Sequence, residues 1–237
     1  MKKTLSLIAV LAVAGMASAP AQAATHYVSG LGGISWMQNM KLDQVYQDAS
    51  VNYSIDYDLG SGVNLLGAIG CDYGSYRFEG EVGYQRNNLK TGSESTNGIV
   101  DVTPRGDSPA SPYDMKGDVS VLSLMANGYY DFDLGSKVEL YATGGVGVAQ
   151  VSFLDENDVA NIDPGYTGHE TTLAWQVGAG FAAPIADNVK LDLRYRYFAT
   201  TDISISSESF FYAAADDGPV KTHVSSHSVL LGLRVDI

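Results

Sequence analysis

Eight segments of this chain alternate apolar and polar side chains residue by residue, and the connections joining them alternate long and short. The segments lie at about 26–37, 62–72, 76–87, 118–131, 138–152, 171–183, 189–200 and 223–237. Their β-branched and aromatic residues at every second place are the mark of half-buried strands. Asp72-Tyr73-Gly74-Ser75, Asp133 to Lys137 and Pro184 to Asn188 are short connections with the Gly, Asp and Asn of tight hairpins. Between them lie long connections at roughly 38–61, 88–117, 153–170 and 201–222. A soluble fold, whose two ends meet the same solvent, has no reason to keep that rhythm. A barrel crossing an outer membrane keeps it, with short periplasmic turns and long extracellular loops. The expected fold is therefore all-β, an eight-stranded antiparallel up-and-down transmembrane β-barrel with both termini periplasmic.

Which face points inward then follows from strand composition. In NVKLDLRYRY, residues 188–197, Val189, Leu191, Leu193, Tyr195 and Tyr197 share one face, while Lys190, Asp192, Arg194 and Arg196 share the other. A soluble barrel carrying an apolar ligand would turn the first face in; a membrane barrel turns it to lipid. Strands of this length exceed the roughly 9–11 residues a tilted crossing needs. Aromatic residues also gather near strand ends, at Tyr27, Trp36, Tyr76, Tyr84, Tyr129, Tyr130, Phe132, Tyr195, Tyr197 and Phe198, where rings are expected at the two headgroup levels. The charges then fall in the lumen: Arg77, Glu79, Glu81, Glu139, Lys190, Asp192, Arg194, Arg196, Arg234 and Asp236. Eight strands leave an interior that side chains fill, so these opposite charges should pair into a network rather than line an open channel. Gly144, Gly145, Gly147, Gly178 and Gly180 would supply room for the long side chains.

The first 23 residues stand outside this pattern. MKKTLSLIAVLAVAGMASAPAQA has Lys2 and Lys3, an apolar stretch from Leu5 to Met16 and a small-x-small ending at Ala21-Gln22-Ala23, the features of a secretory signal peptide. The barrel domain would occupy 24–237. No later run is apolar enough for a membrane helix. The chain carries a net charge of -13, and loss of Lys2 and Lys3 makes it more acidic still, which argues against a nucleic-acid partner. Cys71 is the lone cysteine, so no internal disulfide is available, and the four histidines are scattered; neither a metal site nor a cofactor is expected.

The long connections are polar. The second carries Arg105-Gly106-Asp107, the third Asp155-Glu156-Asn157-Asp158, and the fourth Asp216-Asp217. The tripeptide occurs in some adhesive proteins, and the acidic groups attract divalent cations at a lipopolysaccharide surface, but their spacing lacks the alternating ligands of a dedicated calcium loop. For catalysis, Ser225, His227 and Asp192 are the one set that could be arranged on paper, although His227 shares the apolar face of Val229. The acidic residues lie among Arg and Lys, as structural pairs do. No enzymatic activity is expected.

SLMANGYYDF at 123–132, ELYATGGVGVA at 139–149 and WQVGAGF at 175–181 resemble the eight-stranded outer-membrane barrel superfamily that includes OmpA-like, OmpX-like and Opa-like surface proteins. The resemblance implies that Asn127 and Gln176 are luminal polar positions, and Arg194 and Arg196 luminal basic ones. It also implies a monomer among outer-membrane lipid and lipopolysaccharide, with an extracellular or host ligand for the loops. Such barrels commonly end in Phe, whereas this chain ends in Ile237, and no cell-wall-binding domain is expected. A structural barrel displaying loops is the favoured role. A small porin for ions or small solutes and a soluble periplasmic carrier of an apolar ligand are the alternatives.

Overall fold

The computed structural model describes residues 24–46, 51–96, 113–114, 116–135, 137–155, 167–205 and 220–237. They form β1 (Thr25–Met37), β2 (Met40–Tyr46), β3 (Val51–Asp72), β4 (Tyr76–Thr96), β5 (Tyr113–Asp114), β6 (Gly117–Phe132), β7 (Glu139–Asp155), β8 (Thr167–Ala186), β9 (Val189–Thr200), β10 (Ile203–Ile205), β11 (Val220–Thr222) and β12 (Ser225–Asp236). Eight of these are the staves of a closed antiparallel barrel. In order around the wall they are β1, β3, β4, β6, β7, β8, β9 and β12, and β12 pairs back onto β1. Closure leaves no strand edge to meet hydrocarbon, which is what a lipid-facing sheet requires.

The short strands mostly prolong staves on the extracellular side. β2 meets β3 in the register that β1 holds, beyond a break at Gln38 and Asn39. β10 and β11 likewise continue β9 and β12, and β11 reaches β2 at Lys221 and Asp43. The segment 38–61, expected as a connection, is thus largely a hairpin of β2 and β3, and β4 runs on to Thr96. The alternation needed to see this is present in MKLDQVY and VNYSIDYD, but the polar residues between obscure it. Register shifts from Asp58 to Gly62 mark a bulge where β3 leaves the apolar band. Two periplasmic turns use side-chain caps. Asp72 and Asp133 each accept a backbone hydrogen bond two residues on, from Gly74 at 2.8 Å and Gly135 at 2.9 Å, and both glycines have positive φ.

The polarity of the wall is inverted relative to a soluble protein. Val63, Leu65, Phe78, Val82, Leu122, Leu124, Val146, Leu173, Val177, Leu191, Leu231 and Leu233 are exposed, while Arg77, Glu79, Glu81, Asp192, Arg194, Arg196 and Arg234 are buried. In the strand from Val189 to Tyr197, the charged face is the inner one. Not every terminal aromatic joins the outer girdles. Trp36, Tyr76, Tyr84, Tyr130, Phe132 and Tyr195 are exposed, but Tyr27, Tyr129 and Phe198 are buried inside. Their position in the alternation decides this: Tyr27 shares parity with Ser29, Tyr129 with Asn127 and Phe198 with Arg196.

Several staves approach so closely that only glycine fits. A Cβ at Gly147 would lie 2.1 Å from the Leu124 carbonyl oxygen and 2.8 Å from the Met125 sulfur, whereas one at Gly67 would meet nothing within 4 Å. Gly147→Ala is therefore expected to destabilise the barrel by about 1–3 kcal/mol, and Gly67→Ala to leave it unchanged or slightly stabler, since alanine loses less backbone freedom on entering a strand. Urea unfolding midpoints in detergent micelles measure both; equal midpoints would mean the close approach at Gly147 is absent.

Candidate functional site

The barrel interior is built from every second residue of eight staves, so its chemistry is set by which residues parity brings to one height. Near the periplasmic end, Arg77 donates to both Asp131 carboxylate oxygens, at 2.6 and 2.7 Å. Its guanidinium lies 4.5 Å from the Tyr129 ring centre and 4.9 Å from that of Tyr141. Tyr27 and Tyr129 donate to Glu79 at 2.9 and 3.1 Å. Across the lumen, Glu139 accepts from Lys190 at 2.5 Å and also from Arg234.

Glu81 occupies the middle of the barrel. It accepts from Asn127 at 3.2 Å, Gln176 at 3.1 Å and Arg194 at 3.2 Å, and the Arg196 guanidinium stands 3.8 Å away. Gln176 accepts from Arg196 at 2.5 Å and donates to Asn127 at 2.7 Å. Tyr141 donates to Asp192 and accepts from Arg194 at 3.2 Å. Five strands, β4, β6, β7, β8 and β9, thus converge on Glu81 and two arginines, and Arg194 also has Asp192 at 3.7 Å and Glu79 at 3.9 Å. Beside them is a neutral patch. Gln85 and Ser35 donate to Asn87 at 2.9 and 3.0 Å, Asn64 to Ser228 at 2.9 Å, and Ser226 to Gln85 at 3.1 Å.

Above the polar layers the interior changes character. Met37, Met40, Leu59, Val119, Val121, Met125, Ala149, Val151, Ala174, Phe198, Ile203 and Val224 form one buried apolar cluster, with Tyr57, Leu89 and Phe153 against it. The polar reading of the inner face overlooked this layer. Its signal was available: inward parity runs from Asn127 through Met125 to Val121 and Val119 on β6, and from Arg196 to Phe198 on β9.

The hypothetical catalytic set is not assembled. Asp192 faces inward to Tyr141, whereas His227 faces outward, with Tyr195 2.6 Å from one ring nitrogen and Gln38 3.2 Å from the other. Cys71 lies half-exposed, 3.3 Å from His26. Arg105-Gly106-Asp107, residues 156–158 and Asp216-Asp217 fall outside the described residues.

A closed eight-stave wall, apolar outside and charged within, is the architecture on which comparison with known proteins bears. Residues 8–233 match the model of the outer membrane protein beta-barrel domain. The chain belongs to that family. Outer membrane protein PagN of Salmonella typhimurium is 27% identical over 229 residues, which cover 94% of each protein. A putative adhesin of Rickettsia conorii is 28% identical over 177 residues, 68% of each. Among solved structures, Neisserial surface protein A is similar in fold, with a TM-score of 0.51 and 19% identity over 90% of this chain and 97% of that one.

As a member of the outer membrane barrel family, the protein resides in the outer membrane, and its exposed apolar band meets lipid. Leu124, 42% exposed and flanked by Val82 and Val148 on the neighbouring staves, sits well inside that band. Leu124→Arg is expected to cost about 2–4 kcal/mol in folding into bilayers, read from reversible denaturant titration. An unchanged midpoint would place Leu124 outside the hydrocarbon.

Proposed function

We propose that the protein is a non-enzymatic, monomeric surface protein whose barrel is sealed and whose prolonged staves hold the extracellular connections out as a binding platform for an extracellular or host ligand. The single observation that carries this reading is the two-layered interior, in which a paired polar network lies beneath an apolar plug. Among the described residues, an ion passing inward crosses the largely apolar cluster before it reaches arginines and carboxylates that are mostly engaged with each other. The prolonged staves support the display role. From Val51 to Gly60, β3 rises on the order of 25 Å above the apolar band, at about 3.3 Å per residue and a tilt of about 40°. That several relatives are named putative adhesins agrees with such a role. Residues 1–23 serve in this proposal as the export signal, cleaved to leave the barrel.

Two measurements test the reading together. The refolded barrel is expected to be electrically silent in a planar bilayer, and bacteria displaying it are expected to bind host cells more than bacteria displaying a barrel with shortened extracellular connections. Reproducible conductance steps would favour the small porin instead. Silence together with unchanged cell binding would leave the sealed barrel and remove the platform.

A further inference from the structure

Basic side chains are unevenly distributed over this acidic protein. Among those the structure describes, Arg77, Lys190, Arg194, Arg196 and Arg234 turn into the lumen, and Lys137 stands in a periplasmic turn. Arg86, Lys90 and Lys116 gather at one place on the outside. Arg86 and Lys90 flank Asn88 on β4. Lys116 lies opposite Lys90, in the interval between the paired rungs Asn88–Asp118 and Thr91–Asp114.

The height of this cluster is informative. Just below Arg86 on β4 comes exposed Tyr84, with Leu65 of β3 and Leu122 of β6 beside it, and Val63 pairs with Arg86 itself. The cations therefore stand where the apolar band ends. Their settings differ. Arg86 is 52% exposed and reaches Asp118 at 2.7 Å, while the Lys90 stem lies along Gly60 of β3, its Cε only 3.0 Å from where a Cβ would be. Exposed Ser61 and Asn88 add neutral hydrogen-bonding groups at the same level. Among the side chains the structure describes, Asp118, nearly buried against Arg86, and exposed Asp58 on β3 share the neighbourhood.

We propose that Arg86, Lys90 and Lys116 form a binding site for the phosphate groups of a phosphorylated glycolipid in the outer leaflet. Three cations at the edge of the hydrocarbon complement an anionic headgroup, and the wall of Val63, Leu65, Tyr84 and Leu122 beneath them gives the acyl chains of the same molecule a surface to lie on. A soluble polyanion has no use for that wall. The site is distinct from whatever the extracellular connections bind, and it holds whether or not the lumen conducts.

The test uses the full chain refolded in non-ionic detergent micelles and titrated with bisphosphorylated lipid A, bound lipid being counted by native mass spectrometry. The double variant Lys90→Ser/Lys116→Ser keeps the Arg86 and Asp118 pair. It is expected to bind about 25-fold more weakly, at about fivefold for each cation removed. Lys137→Ser, one charge fewer at the opposite end, is expected to bind as the native chain does. Phosphate-free lipid A should bind the native chain no better than phosphorylated lipid A binds the double variant. A heat-dependent gel shift, retained in each variant, separates lost binding from lost folding. Equal affinity of the native and double-variant proteins would overturn the assignment, as would indifference to the phosphates. So would heparin, used as a soluble polyanion, binding the native chain more tightly than lipid A and losing that binding in the double variant.

Discussion

Glu81→Ala is expected to destabilise the barrel by about 3–5 kcal/mol, the loss that follows when one partner of a buried ion pair is removed and the other is left without compensation. Glu81 is fully buried. Its two oxygens hold Asn127, Gln176 and Arg194 by hydrogen bonds and face Arg196. Truncation takes the Glu81 carboxylate from Arg196 and leaves Arg194 with the more distant Asp192 and Glu79, at 3.7 and 3.9 Å. Glu81→Gln keeps the volume and one acceptor oxygen but loses the charge, so its cost should fall between that of alanine and zero. The pair of Arg86 and Asp118 at the edge of the apolar band supplies the contrast: Asp118 is nearly buried, but Arg86 is 52% exposed and keeps its hydration when the partner charge is lost, so Asp118→Asn is expected to cost about 1 kcal/mol, well below Glu81→Ala. Denaturant unfolding of the three variants in micelles, followed by tryptophan emission, gives the order. If Glu81→Ala lies within about 1 kcal/mol of the native barrel, water or the remaining Glu79 and Asp192 carboxylates compensate the arginines, and Glu81 is not the centre of the network.

The same residues show how far the sequence could be read. Strand number, which face of each strand turns inward and the periplasmic turns were legible because each rests on parity or on turn chemistry, which are local. Lys190, Asp192, Arg194 and Arg196 lie inside because their neighbours Leu191 and Tyr195 lie outside, and no tertiary knowledge is needed to say so. Partners were not legible. That Glu81 of β4 would meet Arg194 of β9 depends on strand stagger around a closed wall, which no single strand encodes. Asp131, the partner of Arg77, was passed over because it sits at a strand end beside a turn. The apolar upper layer was missed for a different reason. An inner face that begins as Arg and Glu was read as polar along its whole length, although the alternation itself says nothing of how composition changes with height. Strand ends were misplaced where the staves leave the membrane, since water on the outer face there removes the apolar half of the pattern.

That upper layer yields the second large effect. Phe198 is 2% exposed within the apolar cluster, and the Arg196 guanidinium lies 4.6 Å from its ring centre. Phe198→Ala is expected to cost about 3–5 kcal/mol, combining lost burial with the cavity left in a layer whose other members are held by closed staves. Phe198→Leu should recover most of that loss, because it refills much of the volume, yet it forfeits the contact with Arg196. Conductance separates the two layers. Glu81 and its partners belong to the network below Phe198, so Phe198→Ala is expected to remain electrically silent despite its lower stability. Were this one truncation to produce steady conductance, the apolar plug would be the whole barrier, and the charged layer beneath it would be wet and passable. A loss below about 1 kcal/mol would instead mean that the upper interior is loosely filled and that the prolonged staves take little of their rigidity from it.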